Sequence, residues 1–378
     1  MLIRGERFLQ FTVLAFLLFG CPVLAQSAYG PRLYVDIHPL GWLSSTAVCV
    51  NAAGHAVGNG VTSQGERGFR WAAGRYEMVL PDGAAASRVA WVNDRGDIAG
   101  TAFDAEGTPH AFLFRDGRYL DPTPGWRFSE ALFVDRDGLV TGTGEHGGFV
   151  SGNGVVSTPS SFTSIVGRTP TGVLFGNADN VARMYIPEKG YLTLVPPGGD
   201  AVSPGRMNDK GLATFSASER GVEKGYVFSG GFMIFMTPPG WTSSVAASIN
   251  SLGEVAGYGD GPDGRKGFLR SGLDYEVISC PEFAAMEANS VNDFGEVAGS
   301  GVTASGETHA FFSYPVSASA PANGSTGVET TSAGGGCSAV PSAAGQAPAD
   351  AVANVLLFLF PVGLPLARRV VRRRFNHG

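Results

Sequence analysis

The side chains best suited to chemistry in this chain are acids and histidines, and most of the acids sit close to a glycine. Asp135-Arg136-Asp137-Gly138 has the opening of a calcium loop, and Asp94, Asp97, Asp293 and Glu296 occupy similar places. Calcium takes six to eight oxygens from a longer ligand series, and none of these stretches has that spacing. The acids therefore read as turn formers, whose side chains bond their own backbone two residues on. His110 and His309 recur in one phrase, His-Ala-Phe. A shared position argues for packing or hydrogen bonding, since no second metal ligand lies at useful spacing. Gly144-Glu145-His146-Gly147-Gly148 holds the one acid–histidine pair in a loop-like stretch, and it too reads as structural.

No Gly-x-Ser-x-Gly elbow with plausible partners, no Gly-Lys-Ser/Thr phosphate loop and no Cys-x-x-Cys occurs. No catalytic residue, cofactor or metal is therefore assigned. Trp126 and Trp241, each in a Pro-Gly-Trp loop, are the candidate ligand-facing aromatics, with anchoring of the loop into the core as the alternative. Cys49 and Cys280 lie in the first and last units of the body, where a closed ring would make them neighbours. A disulfide between them is one expectation, and two buried thiols the other.

The elements that must hold these residues come from a repeat, the feature that decides such a fold. An apolar residue, Asn, two variable residues, Gly and a short apolar stretch ending in Gly recur as Val92 to Gly100, Ile249 to Gly257 and Val291 to Gly299. The turn residues are Asn51, Asn93, Asp135, Thr169, Asn208, Asn250 and Asn292, at spacings of 42, 42, 34, 39, 42 and 42. Asn at i with Gly at i+3 fits a type I turn followed by a left-handed glycine bulge, a common hairpin connection. A second phrase, small residue then aromatic, follows each time, as in Gly68-Phe69-Arg70-Trp71 and Gly267-Phe268-Leu269-Arg270. Alternating stretches such as Leu33 to Ile37, Tyr76 to Leu80 and Tyr275 to Ile278 read as the opening strand of each unit.

Four short strands in about 42 residues make a propeller blade. The expected fold is all-β, a seven-bladed β-propeller over residues 31–315, with open stacks of sheet units and a sandwich as alternatives. The glycine after each central strand is expected to let neighbouring blades approach. Whether Leu33 to Ile37 starts the first blade or completes the last is left open.

With His110-Ala111-Phe112 and His309-Ala310-Phe311 intact, the linked phrases resemble the HAF repeats of extracellular bacterial proteins, over roughly Leu33 to Tyr314. The resemblance implies an extracellular repeat protein and supplies no catalytic residue or ligand. It is strong in the second, sixth and seventh units and degraded in the third and fourth.

The ends carry an address. Arg4 and Arg7, an apolar run from Phe11 to Phe19 and Val23-Leu24-Ala25 form a signal peptide over residues 1–25, the substrate of signal peptidase. Leu18-Phe19-Gly20-Cys21 only partly matches a lipobox. Residues 316–336 read as a flexible Ser/Thr/Ala/Gly-rich linker. Residues 337–378 follow, with an uncharged apolar helix at 351–367 at the lower limit for spanning a bilayer. Five arginines from Arg368 to Arg374 set its orientation. Gly336-Cys337, the helix and the arginines resemble bacterial C-terminal sorting signals, which implies a sorting protease as partner and transient or lasting attachment to the membrane.

Removing the two ends leaves the body 20 Lys and Arg against 30 Asp and Glu. An acidic body without a basic patch argues against nucleic-acid binding. The function expected is that of an exported, cell-surface or secreted, non-catalytic binding or adhesion module for a glycan, peptide or matrix ligand. The alternatives are an exported polysaccharide hydrolase or lyase built from loop carboxylates, and a ligand-free structural envelope protein.

Overall fold

Each Asn-x-x-Gly phrase folds as its chemistry dictates. Asn51 Oδ1 accepts the amides of Ala53 (3.0 Å) and His55 (2.9 Å), and the Gly54 amide closes onto the Asn51 carbonyl at 3.1 Å. The glycine three residues after the turn residue has φ between +71° and +87° in all seven units. A Cβ there would be strained, which is why the position is glycine throughout.

The computed structural model describes residues 31–316, which form seven four-stranded antiparallel sheets with no helix among them. The stretches read above as a signal peptide (1–25), a linker past Val316, a processing site at Gly336 and Cys337 and an apolar helix (351–367) lie outside the described residues. Blades 1 to 6 span residues 44–79, 86–120, 129–157, 164–194, 201–235 and 245–278. Blade 7 takes three strands from residues 283–315 and its outer strand, Arg32–Asp36, from the start of the described chain. That strand pairs antiparallel with Thr308–Pro315, Leu33 opposite Tyr314, so the last blade is completed by the first strand.

This fixes the phase of the repeat and corrects one expectation. The stretch read as an opening strand is the outer strand of the blade before: Arg75–Val79 pairs with Gly65–Ala72 of blade 1. The strand leading into each Asn turn is the inner one, and the aromatic strand is third of four. Periodicity gives a count and a length but no origin, because a ring has no natural first strand.

Seven hydrophobic clusters occupy the seven seams between blades. The smallest, between blades 3 and 4, buries Phe162, Ile165 and Leu174; the one between blades 4 and 5 buries eleven residues. The glycines divide into two jobs. Those of the second strand make room for an aromatic ring of their own blade: a Cβ on Gly58 would stand 2.6 Å from the Phe69 ring, and one on Gly100 would stand 2.4 Å from Phe112. Close approach of the next blade belongs instead to the third strand, where a Cβ on Gly68 would meet Val89 at 2.8 Å. The expected inter-blade role of the second-strand glycine is thus corrected. In the inner strand of every blade the register shifts just before the turn, as it does at a β-bulge.

Candidate functional site: the axial channel and its mouth

The turn residues meet around the ring axis, where their side-chain amides form a belt. Asn51 Nδ2 donates to the Asn93 carbonyl (3.0 Å), Asn93 to Asp135 (2.8 Å), Asn208 to Asn250 (2.8 Å) and Asn250 to Asn292 (2.9 Å). Asn292 donates to Asn51 (2.8 Å), which carries the belt across the closure of the ring. Each of these asparagines is at least nine-tenths buried. The sequence identified them as turn residues, and that role holds. The belt is an additional role, and its signal was present in the preference for Asn over Asp: either acceptor starts the turn, but only the amide has an N–H to give.

The belt is interrupted at blades 3 and 4. Asp135 has no amide, and its Oδ2 instead accepts from the Arg168 guanidinium of blade 4 at 2.5 Å. Asp135 is buried, at 1% exposure, and Arg168 partly so, at 18%, so the bond replaces a neutral link by an ion pair. Thr169 turns its hydroxyl onto Thr171 and the Val173 amide within its own turn.

A second tier of acids lies at the mouth. Asp94 Oδ1 accepts the Ala52 amide (2.9 Å), and Asp293 Oδ1 accepts the Ser251 amide (2.8 Å), each reaching from the following blade to the one before. Asp209 of blade 5 faces Arg136 of blade 3 at 3.7 Å, a pair that skips blade 4. Burial, reinforced by Asp135, Asp94 and Asp137 and opposed by Arg136, holds the Asp209 carboxyl above its ordinary value. The turns enclose a cavity of about 120 Å³ lined also by Trp91 and Phe133, whose rings lie 5.1 Å apart. Sites for drug-sized ligands run to roughly 300–1,000 Å³, so this one fits a few waters or a small polar group.

Further along the axis, Arg206 leaves the inner strand of blade 5 and crosses to the far side of the ring. Its Nη2 donates to the Ala90 carbonyl of blade 2 (3.1 Å) and its Nη1 to the Leu132 carbonyl of blade 3 (3.3 Å). The guanidinium carbon stands 4.9 Å from the centre of the Trp91 ring. Arg206 keeps partial contact with solvent, yet protein surrounds it closely enough that desolvation lowers its affinity for a proton. Sequence reading missed Arg206, Arg168 and Arg136, because nothing along the chain marks a side chain that acts across a ring.

His38, His110, His146 and His309, with Trp42, Trp126 and Trp241, lie away from the Asn-turn mouth, on or beside the loops at the opposite end of the blades. Trp126 packs edge-on against Phe149 (5.5 Å) and His146 (4.9 Å), over Gly144, and Trp241 packs edge-on against Phe268 (5.9 Å) over Gly261. Trp42 repeats the arrangement against Phe69 in blade 1. All three are half-buried, so the loop-anchoring role is visible in the packing while each residue keeps some exposure. His309 Nδ1 bonds Asp36 (2.8 Å) and its ring stacks on His38 at 4.0 Å, whereas His110 stands 3.4 Å from Asp104.

Cys49 and Cys280 are not joined, which corrects the disulfide expectation. The ring does bring their blades together, but the side chains enter different seams. Cys49 lies in the cluster between blades 1 and 2, and Cys280 in that between blades 6 and 7. Burial pushes the Cys49 thiol up to about 11.

The sequence matches no family model. It matches no curated protein either. Solved structures do resemble it. The virginiamycin B lyase of Staphylococcus aureus, solved as a catalytically inactive variant with quinupristin, is similar with a TM-score of 0.50 at 10% identity. The match covers 76% of this chain and 100% of that one. The β-propeller domain of the Trilobed protease from Pyrococcus furiosus, described as having an open velcro topology, reaches 0.50 at 12% identity over 72% of this chain and 93% of that domain. At such identities the likeness is one of fold.

Proposed function

We propose that this chain is an exported, surface-displayed binding module that works without catalysis and takes up an extended peptide segment of another protein along the outer strand of blade 5. One observation carries the reading. That strand, Phe232–Phe235, exposes all four of its side chains, Phe232 at 75%, and contains no charge. An outer strand has one row of unpaired backbone N–H and C=O groups, and soluble proteins usually guard such an edge with charges or proline. A peptide added there gains main-chain hydrogen bonds and apolar contacts together.

The acids of the mouth support a non-catalytic reading. Asp94 and Asp293 hold neighbouring turns, Asp135 is buried on Arg168, and Asp209 faces Arg136. A glycosidase needs two carboxyls poised across a substrate-sized cleft, and the cavity is too small for a sugar ring with its neighbours. Export rests on the residues of the two ends: signal peptidase removes residues 1–25, and a sorting protease acts near Gly336-Cys337 while the 351–367 segment holds the membrane.

The test is a selection of displayed random peptides on the intact chain, counter-selected on the Met233→Lys/Phe235→Lys variant. Peptides rich in β-forming residues that bind the wild type and lose at least about tenfold in affinity on the variant are the expected outcome. Enrichment indifferent to the two lysines would remove blade 5 as the binding edge.

A further inference from the structure

Inside the channel, the chemistry of Arg206 is incomplete. A guanidinium has five N–H donors and no acceptor. Two are spent on the carbonyls of Ala90 and Leu132, leaving the Nε–H and one N–H on each Nη. Among the described residues no carboxylate pairs with it, although the chain makes ion pairs freely elsewhere, including the buried Arg168–Asp135. Carbonyl dipoles and the Trp91 face offset part of the cost of holding this charge away from bulk water. A largely enclosed cation is normally matched by a counter-charge as well.

We propose that the axial channel is a binding site for a small monocarboxylate, held by the unused edge of Arg206. The unused Nε–H and Nη–H donors form the fork that takes a planar carboxylate in two parallel hydrogen bonds. A single positive charge matches a single negative one. The rim selects in the same sense, because Asp94, Asp209 and Asp293 outnumber the one cation there, Arg136, and repel a dianion such as phosphate more than a monoanion. Arg206 itself does not line the cavity of about 120 Å³ at the mouth, but Trp91, whose ring carries the guanidinium, and Met207, the next residue, do, and a space of that size on the way to Arg206 admits only a small acid. This site is separate from the outer strand of blade 5 and does not depend on the reading given for it.

The experiment titrates the full-length chain with sodium acetate and, in parallel, with sodium chloride at matched ionic strength. It reads tryptophan fluorescence, to which Trp91 under the guanidinium contributes, and the thermal midpoint. Expected are a saturable fluorescence change and a rise in midpoint with acetate that chloride does not reproduce. Both should vanish in Arg206→Met. Arg206→Lys keeps the charge but not the fork, and should weaken acetate at least about tenfold. Superimposed acetate and chloride curves on the wild type would overturn the proposal, as would an equal acetate response in Arg206→Met. Either result would leave Arg206 as a brace between opposite blades. Should Arg206→Met fail to fold, the wild-type comparison and Arg206→Lys still decide.

Discussion

Blades 6, 7, 1 and 2 form one sector of the ring and blades 3, 4 and 5 another, and the two hold the axis and the rim differently. In the first sector every turn residue is Asn, and each passes an amide hydrogen bond to the next blade. In the second the turn residues are Asp135, Thr169 and Asn208, and an ion pair from Arg168 stands where an amide would. The rim follows the same division. The outer strands of blades 1, 2, 6 and 7 carry charges, among them Arg75, Glu77, Arg118, Asp274 and Arg32. The outer strands of blades 3, 4 and 5 carry none. The regular sector is built to close and to be left alone. The irregular sector supplies Arg206 to the channel and an unguarded edge to solvent, so departures from the repeat mark where function would be sited.

The largest effect should come from breaking the substitute link. Arg168→Met strands the Asp135 carboxylate in the interior, and breaking one side of a buried pair costs about 3–5 kcal/mol. Denaturant unfolding measures it. Combining Arg168→Met with Asp135→Asn restores a neutral amide of the kind the regular sector uses, and most of the loss should return. A double variant as unstable as the single one would show that the two sectors are not interchangeable in this way.

A smaller difference should separate the turns themselves. Asn292 Oδ1 accepts the amides of Phe294 and Glu296 while its Nδ2 donates to Asn51 and Glu296, so Asn292→Ala leaves buried groups unsatisfied. We expect about 2–3 kcal/mol from that change. Thr169→Ala, where no belt bond is made, should cost no more than about 1 kcal/mol. Equal losses would mean that the belt adds nothing beyond the turn.

The smallest effect is a pH dependence within the regular sector. Asp97 and Glu296 both lie four residues after their turn Asn, with opposite shifts. Burial acts to raise the Asp97 carboxyl, but bonds from Arg115, Asn93 and Arg95 outweigh it and bring it below 3.8. Its contribution is therefore complete above 3.8 and fades as pH falls through the lower folded value. Burial lifts Glu296 above 4.5, with Asn292 opposing. Its contribution is complete below 4.5 and fades as pH rises through the raised value. Thermal midpoints across pH 3 to 7 should thus show the penalty of Asp97→Asn growing with pH, and that of Glu296→Gln shrinking. Parallel curves would contradict both assignments.

Much of this was legible along the chain. Seven phrases near 42 residues apart require seven equivalent units, and Asn-x-x-Gly with an aromatic strand after it fixes the hairpins. Both follow from local physics: hydrogen bonds spanning a few residues, and a positive φ that only glycine takes cheaply. What the tertiary structure alone decided depends on ring closure. Arg32–Asp36 became the outer strand of blade 7, not of a first blade. Cys49 and Cys280 went to different seams of neighbouring blades. Arg206 met carbonyls of blades 2 and 3 from blade 5. Local sequence carries no trace of such pairings, because closing a ring brings together residues that no periodicity along the chain relates.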